Sequence, residues 1–248
     1  MNKIIIITGA SRGIGAATAR LAASLGYAVC VNYLSNREAA DAVVSLIEKE
    51  GGKAISVQAD IAQEADILKL FETVDRELGT LTALVNNTGI LETHMRLEDM
   101  QTDRLSRVFT TNVIGSFLCA REAVKRMSSE HGGAGGAIVN VSSVAARLGS
   151  PGEYVDYAAS KAAIDTMTMG LAKEVAEFGI RVNAVRPGVV HTDIHALGGE
   201  PERVERVKEA VPMKRGGQPE EVAKAIMWLL SDEASYTTGT LLDVSGGR

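Results

Sequence analysis

The chain has 248 residues, of which 46% are hydrophobic and 23% are charged, and its net charge is −5 at pH 7. These values are ordinary for a globular protein with a full core, and the negative charge disfavours nucleic acid as a partner. No apolar run approaches the roughly 18 residues that would span a bilayer, and the start MNKIIII leaves no room for a signal peptide before the next motif. Cys30 and Cys119 lack ligand-like spacing, so we expect buried thiols, no metal and a cytoplasmic location.

Short runs rich in Val and Ile alternate along the chain with longer segments whose apolar residues recur every three or four positions. This alternation predicts one α/β domain over residues 1–248, a Rossmann-type doubly wound parallel sheet of about seven strands with helices on both faces. The predicted strands are Lys3–Thr8, Ala28–Tyr33, Ala54–Gln58, Ala83–Asn86, Ala137–Val141, Arg181–Val185 and Thr240–Val244. The predicted helices are Ala16–Leu25, Glu38–Glu50, Ile67–Leu78, Gln101–Met127, Ala158–Phe178 and Glu220–Leu230. The polar segment 190–212 breaks the alternation and is predicted to be an irregular lid.

The first predicted strand runs into TGASRGIG at residues 8–15, with glycines at 9, 13 and 15. Between a strand and a helix, glycines let the backbone approach a pyrophosphate, and the helix N-terminus supplies free N–H groups. We therefore expect all three glycines to make room for a dinucleotide, although a tight structural turn is an alternative. The predicted cofactor contacts from this loop are Gly9, Ser11, Arg12, Gly13, Ile14 and Gly15.

The end of the second predicted strand bears on which dinucleotide binds. An NAD site usually has an acidic residue there for the ribose hydroxyls, whereas VCVNYLSNRE has Asn32 in this region and no carboxylate before Glu38. With Arg12 in the loop and Arg37 downstream, this favours NADP(H), and NAD(H) remains possible. The alternative is that both arginines are solvated surface charges.

Four further motifs follow in order: NNTG at 86–89, Asn112 within TTNVIG, the pair Ser142–Ser143, and YAASK at 157–161. Together with the glycine loop they resemble the short-chain dehydrogenase/reductase family over essentially the whole chain. Within its compact single-domain branch, the chain is similar to 3-oxoacyl carrier-protein reductases and glucose 1-dehydrogenases. The resemblance implies an NAD(P)-dependent enzyme acting on a carbonyl or secondary alcohol.

The same resemblance implies a homotetramer. The C-terminal strand TLLDV and the helices around Phe117 and Met167–Met169 are candidates for subunit contacts. Alternatively, these residues complete the core of a monomer.

Tyr157 and Lys161 also point to this chemistry through their spacing. Hydride transfer to a carbonyl builds negative charge on oxygen, which needs a proton donor. A phenol with its usual pKa of about 10 is a weak acid at neutral pH. A lysine four residues later lies one helical turn away, and its ammonium, helped by the charge of an oxidised nicotinamide, would lower that pKa. A surface pair within a helix is the alternative.

The resemblance assigns roles to further residues. Ser143 would orient the substrate oxygen, although it precedes Tyr157 by one residue more than is usual, and Ser142 would serve the strand end. Asn112 would hold a water that links Lys161 to solvent, against the alternative of a solvent-facing helical asparagine. For the cofactor, Asp60 and Ile61 would border the adenine, and Asn87 and Gly89 would lie along the ribose and pyrophosphate. Pro187, Gly188, Val190 and Thr192 would hold the nicotinamide.

Thr88 stands where the family motif usually has alanine, which predicts slightly shifted contacts. Asp60 is followed by a predicted helix, so a helix N-cap is an equally good interpretation of its side chain.

These observations leave three functions to compare. The first is an oxidoreductase in which Tyr157 is the general acid in reduction and the base in oxidation. The second is a non-catalytic, dinucleotide-binding regulator, which the retention of Tyr157 and Lys161 disfavours. The third is a nucleotide-sugar epimerase, which would need a larger C-terminal domain. The substrate pocket is predicted from His94, Met95, residues 148–155 and the lid, and it indicates no particular substrate.

Overall fold

A computed structural model describes residues 3–248. Its strands form one parallel seven-stranded sheet in the order β3-β2-β1-β4-β5-β6-β7, as predicted. Each strand begins and ends within two residues of the predicted bounds. The strands are β1 Lys3–Ile7, β2 Tyr27–Tyr33, β3 Lys53–Gln58, β4 Ala83–Asn86, β5 Gly136–Val141, β6 Ile180–Pro187 and β7 Leu241–Val244.

The helices cover both faces of this sheet. They are α1 Gly13–Ser24, α2 Arg37–Lys49, α3 Glu64–Glu77, α4 Thr102–Phe109, α5 Gly115–Met127, α6 Ala145–Leu148, α7 Val155–Val175, α8 Ile194–Leu197, α9 Arg203–Val207 and α10 Pro219–Leu230. Successive isoleucines of β1 point to opposite faces, as the pleat requires. Ile5 and Ile7 pack in one cluster with α1, α2 and α10, and Ile4 and Ile6 pack in another with α3, α5 and α7.

The strand order reverses between β1 and β4, which are direct neighbours. In open parallel sheets, ligands bind in the crevice outside the carboxyl ends of the strands at such a reversal. The loops that follow β1 and β4 begin there. They carry the glycine loop and the NNTG motif.

The predicted helix Gln101–Met127 is wrong as a single helix. A π-helical turn at Thr110–Ile114 separates α4 from α5. Such turns hold one extra residue and often occur at functional sites. Directly after this turn, the first residue of α5 packs against the loop that follows β3. A methyl group on Gly115 would lie 2.4 Å from the Ile61 carbonyl oxygen.

The lid is more ordered than an irregular loop. It contains α8, α9 and a 3₁₀ turn at Lys208–Ala210. Its valines also form a small apolar cluster of their own, composed of Val189, Val204, Val207 and Val211. The lid therefore has a fixed shape that can place side chains.

Both cysteines are buried and unpaired, as expected. Burial raises the pKa of the Cys119 thiol to about 12 and that of Cys30 further still. Within residues 3–248, no helix has the length and apolar character that crossing a membrane requires. The same residues contain no group of three or more His, Cys, Asp or Glu side chains suited to a metal ion.

Candidate active site

The glycine loop turns sharply between β1 and α1. Gly9 and Gly13 have φ values of +62° and +54°, a region that favours glycine. Gly15 has a different role, because a methyl group there would lie 2.6 Å from the Gly9 carbonyl oxygen. Contact of the three glycines with a dinucleotide stays a prediction. Gly15 lets α1 pack against the loop, and the other two shape its backbone.

Asn32, at the end of β2, is buried beneath this loop. Its Oδ1 accepts a hydrogen bond from the Gly9 N–H at 3.1 Å, and its Nδ2 donates to the Ala59 carbonyl at 3.1 Å. Its amide is thus committed to the backbone of two loops. Asn32 can influence cofactor binding through the shape of the glycine loop.

The other residues of the loop have differing environments. Arg12 is exposed at the start of α1, whereas Ser11 is half-buried and Ile14 packs against the first core cluster. Arg37 is exposed and pairs with Asp41 at 3.3 Å. Arg12 is therefore the better placed of the two arginines to contact a phosphate.

The NNTG motif braces the glycine loop from the β4 side. Asn87 donates from Nδ2 to the carbonyls of Thr8 at 2.8 Å and Gly9 at 3.1 Å. The Thr88 hydroxyl is buried and has no hydrogen-bond partner within residues 3–248, and it would lie 2.9 Å from a methyl group on Gly9. Sequence reasoning treated Thr88 only as added bulk, although its hydroxyl in place of the usual methyl group was the signal for a polar role.

Asp60 and Ile61 follow β3. Asp60 Oδ1 accepts from the Ala62 N–H at 2.9 Å, while α3 begins later, with Gln63 at its N-cap. The helix N-cap interpretation of Asp60 is therefore wrong. Ile61 is buried beneath the π-helical turn, and a role for either residue at the adenine stays a prediction.

Tyr157 and Lys161 lie on the first two turns of α7, with the Lys161 Nζ 5.7 Å from the centre of the Tyr157 ring. Lys161 is buried and donates to the Val141 carbonyl, at the end of β5, at 2.8 Å. Burial lowers the pKa of Lys161 to about 8, and the nearby Asp165 carboxylate opposes this. The lysine is thus held between the tyrosine and the carboxyl edge of the sheet.

The pKa of Tyr157 is raised to about 12, because desolvation outweighs the opposing effects of the Ser143 hydroxyl and the Arg203 charge. The protein alone therefore keeps the phenol protonated, which is the form that protonates a carbonyl. The expected lowering by Lys161 included the charge of an oxidised nicotinamide, so it stays a prediction for the complex.

The two serines after β5 have separate environments. The Ser142 hydroxyl is buried and donates to the Lys161 carbonyl at 3.1 Å, which ties the strand end to α7. Ser143 is half-buried, and its hydroxyl accepts from the Ala145 N–H at 3.1 Å. The same hydroxyl acts to lower the pKa of the Tyr157 phenol. Ser143 is thus the serine that shares a site with Tyr157.

Asn112 is fully buried in the π-helical turn, so the solvent-facing alternative is wrong. Its amide bonds to both backbone groups of Ile90, at 2.8 and 3.1 Å, and donates to the Ser160 hydroxyl at 3.1 Å. A methyl group on Gly89 would lie 3.2 Å from the Lys161 Nζ and 3.7 Å from the Asn112 Oδ1. The side chains of Asn112 and Lys161 therefore border one small space beside Gly89. A relay water in that space stays a prediction.

The segment after β6 returns past the glycine loop. Pro187 is buried and ends β6, and a methyl group on Gly188 would lie 2.8 Å from the Ser245 Cα. The Thr192 methyl would lie 3.3 Å from a methyl group on Gly13, so this segment reaches the cofactor loop. The carbonyl of Val190 is 2.9 Å from the His195 Nε2, a contact that sequence reasoning missed.

Sequence reasoning also missed a buried ion pair beside Tyr157. Arg104 on α4 binds Asp156 on α7 through two hydrogen bonds, at 2.7 and 3.3 Å, and donates to the Thr93 carbonyl at 2.7 Å. The two side chains are only 5% and 1% exposed. This pair fixes the first turn of α7 against the loop that follows β4.

Comparisons with known proteins agree over nearly the full chain. A family model described as "Enoyl-(Acyl carrier protein) reductase" matches residues 9–248. The chain is 60% identical over 245 residues to "Uncharacterized oxidoreductase YgfF" of Escherichia coli (strain K12), covering 99% of each protein. It is 40% identical over 245 residues to "Glucose 1-dehydrogenase 2" of Bacillus subtilis (strain 168), covering 99% of this chain and 94% of that protein.

A solved structure extends the similarity to three dimensions. The crystal structure of a short chain dehydrogenase from Burkholderia cenocepacia J2315 in complex with NADP has a TM-score of 0.91 and 32% identity. The match covers 100% of this chain and 98% of that one. Fold and sequence therefore point to the same group of proteins.

Proposed function

Because the chain belongs to the short-chain dehydrogenase/reductase family, whose members are oxidoreductases, we propose that it interconverts a carbonyl and a secondary alcohol with Tyr157 as general acid and base. One observation carries the proposal. Tyr157, Ser143 and Lys161 lie together at the carboxyl edge of β5, on the side of the sheet reversal where the glycine loop opens. Neither a regulator nor an epimerase is favoured by a specific observation.

The residues of the crevice fit a dinucleotide. The glycine loop presents its backbone at the N-terminus of α1, where free N–H groups favour phosphate. The buried, unpartnered hydroxyl of Thr88 faces the same loop. Residues Gly9–Gly15, Asn87, Gly89 and Thr192 would hold the dinucleotide, and its nicotinamide would supply or accept the hydride.

The side chains then divide the acid–base work. In reduction, Tyr157 gives its proton to the carbonyl oxygen, and its pKa of about 12 ensures that the proton is present at neutral pH. Ser143 donates a hydrogen bond to the same oxygen, where negative charge develops. Lys161 stabilises the resulting phenolate, and the water held near Asn112 would return a proton from solvent. In oxidation, the phenolate accepts the proton of the alcohol.

We further propose that NADP(H) is preferred and that NAD(H) binds less well. Arg12 is exposed at the phosphate end of the loop, and no carboxylate lies between Asn32 and Arg37 to repel a 2′-phosphate. The Burkholderia relative, whose structure holds NADP, supports this preference.

We also propose a homotetramer in the cytoplasm. Phe109, Ile114 and Phe117 expose 37%, 50% and 50% of their surfaces around α4 and α5, and β7 is an edge strand. Such apolar surface favours association between copies of the chain. The two free, buried thiols favour a reducing compartment. Light scattering on the purified protein tests the assembly, and a monomeric mass would refute it.

The test of the reaction is the substitution Tyr157→Phe. NADPH oxidation is followed with a panel of ketones, aldehydes and diketones, and NADPH binding is measured by fluorescence. We expect turnover to fall by at least roughly 100-fold because the general acid is lost, with NADPH binding unchanged. Tyr236→Phe, at a fully exposed tyrosine, is the matched control and should retain full turnover. Normal turnover in Tyr157→Phe would refute the mechanism. NADPH binding without turnover by the unmodified protein would favour the regulator.

A further inference from the structure

One lid side chain, Arg203, reaches the turn that leads into Tyr157. It is the first residue of α9, and its side chain is only 13% exposed. Its Nη2 donates to the Glu153 carboxylate at 2.6 Å, and its Nη1 donates to the Tyr154 hydroxyl at 3.1 Å. The guanidinium carbon also lies 4.8 Å from the centre of the Tyr154 ring. Arg203 therefore contacts the two residues that lie three and four positions before Tyr157.

These contacts belong to a small ionic cluster that joins the lid to this turn. Arg203 also donates to Glu200 at 3.1 Å, and Arg206 pairs with Glu153 at 3.0 Å and with Glu200. Hydrogen bonds from Arg206 and Arg203 lower the pKa of Glu200 to about 2. Although burial opposes them, the same two arginines lower the pKa of Glu153. Both carboxylates are therefore ionised, and the cluster balances two cations against two anions.

We infer that Arg203 is a positioning residue for the proposed reaction: by binding Glu153 and Tyr154 it holds the lid against the turn before Tyr157 and brings a positive charge to the phenol. The inference rests on the proposed function. A charged side chain carried by a lid completes a catalytic site only when the lid is closed. Here the lid and the turn come from distant parts of the chain, and Arg203 bonds to Tyr154 across them.

Arg203 adds to the stabilisation of the phenolate by Lys161, whose ammonium is bonded to the Val141 carbonyl. The charge of Asp156, which precedes Tyr157 in the sequence, is neutralised by Arg104. The Arg203 charge lowers the pKa of Tyr157. The titratable and charged groups on the surrounding elements are His94 after β4, Arg104 on α4, Glu153, Tyr154, Asp156, Lys161 and Asp165 on or before α7, and His195, Glu200 and Arg206 in the lid.

The test is the pH dependence of kcat/KM for NADP⁺-dependent oxidation of a secondary alcohol, the direction that requires the phenolate. In Arg203→Gln we expect the acid limb of the profile to move to higher pH by about one unit, because the phenolate loses a nearby cation. Arg203→Lys keeps the charge, so its limb should return toward that of the unmodified protein even if kcat/KM is lower. A merely structural role would lower the rate without moving the limb.

Arg206→Gln is the matched control. Arg206 lies one turn further along α9 and pairs with the same two glutamates, but it is half-exposed and makes no hydrogen bond to Tyr154. The acid limb of the kcat/KM profile of Arg206→Gln should therefore stay at the pH of the unmodified protein. An unmoved limb in folded Arg203→Gln, or an equal movement in Arg206→Gln, would overturn the inference while leaving the proposed function intact.

Two further outcomes keep the test decisive. If circular dichroism shows that Arg203→Gln does not fold, Arg203→Met, which keeps an unbranched side chain without its charge, replaces it. Its acid limb should likewise move to higher pH, and an unmoved limb would overturn the inference. Absence of turnover in the unmodified protein with every carbonyl and alcohol tested would overturn the proposed function and the inference with it.

Discussion

Replacing Asp156 by asparagine should destabilise the fold strongly, because it leaves the Arg104 guanidinium buried without a counter-charge. The pair is 5% and 1% exposed and is joined by two hydrogen bonds. Breaking a buried pair by removing one partner typically costs about 3–5 kcal/mol. The bond from Arg104 to the Thr93 carbonyl remains, so we expect the lower end of this range, about 3 kcal/mol. For a chain of this length, that cost corresponds to a fall in Tm of roughly 10 °C.

Thermal and urea unfolding, followed by circular dichroism, measure this cost. Arg107→Gln is the matched control, because Arg107 lies on the same helix and pairs with Glu92 at 3.0 Å, but is 57% exposed. Such a surface pair contributes at most about 1 kcal/mol. Equal effects of Asp156→Asn and Arg107→Gln would refute the reasoning.

A double variant separates the charge from the packing. Arg104→Met combined with Asp156→Leu removes both charges and strands neither, so it should be less destabilised than Asp156→Asn. A double variant that loses as much stability as the two single changes combined would show that packing, and not the unpaired charge, causes the loss.

Three further outcomes follow from the site. Because burial lowers the pKa of Lys161 to about 8 from its ordinary 10.5, the unfolded chain binds more protons between these values and stability rises with pH there. Lys161→Met should abolish turnover and should lack this rise in stability. The Tm of the variant minus that of the unmodified protein should therefore be higher at about pH 7 than at about pH 10. A difference that is the same at both pH values would contradict this. Thr88→Ala removes a buried hydroxyl without a partner, so the Kd for NADPH should rise roughly 3- to 10-fold with no loss of Tm, and an unchanged Kd would count against its role. Arg12→Ala should weaken NADPH binding roughly 10- to 100-fold in titrations while NADH binding changes little, and equal losses would exclude a 2′-phosphate contact.

The architecture was predictable because buried parallel strands are written as continuous Val and Ile runs. The run of isoleucines in β1 faces helices on both sides, so each residue in it is apolar. The Tyr157–Lys161 spacing was equally visible, since both residues share one face of one helix. Features of this kind depend on neighbours in sequence, and local patterns report them well.

Other features depend on contacts between distant segments, and no local pattern reports those. Arg203 and Glu153 are joined across the lid, and Arg104 and Asp156 are joined across two helices. Asn32 stands where an NAD site usually has an acidic residue, but its amide serves the backbone of neighbouring loops. A polar residue beside a ligand loop has the same appearance in the sequence whether it binds the ligand or the loop. The lid helices were missed because four or five residues are too few to show a period.

The π-helical turn at Thr110–Ile114 holds one residue more than an α-helical turn, and it widens the backbone where the Asn112 amide reaches Ile90. Excising one residue here would close the turn into regular α-helix, so α5 would keep its rotational phase and Cys119 would stay in the core. The Asn112 amide would lose its position opposite Ile90. A one-residue deletion in this turn should therefore preserve the fold while abolishing the contacts of Asn112.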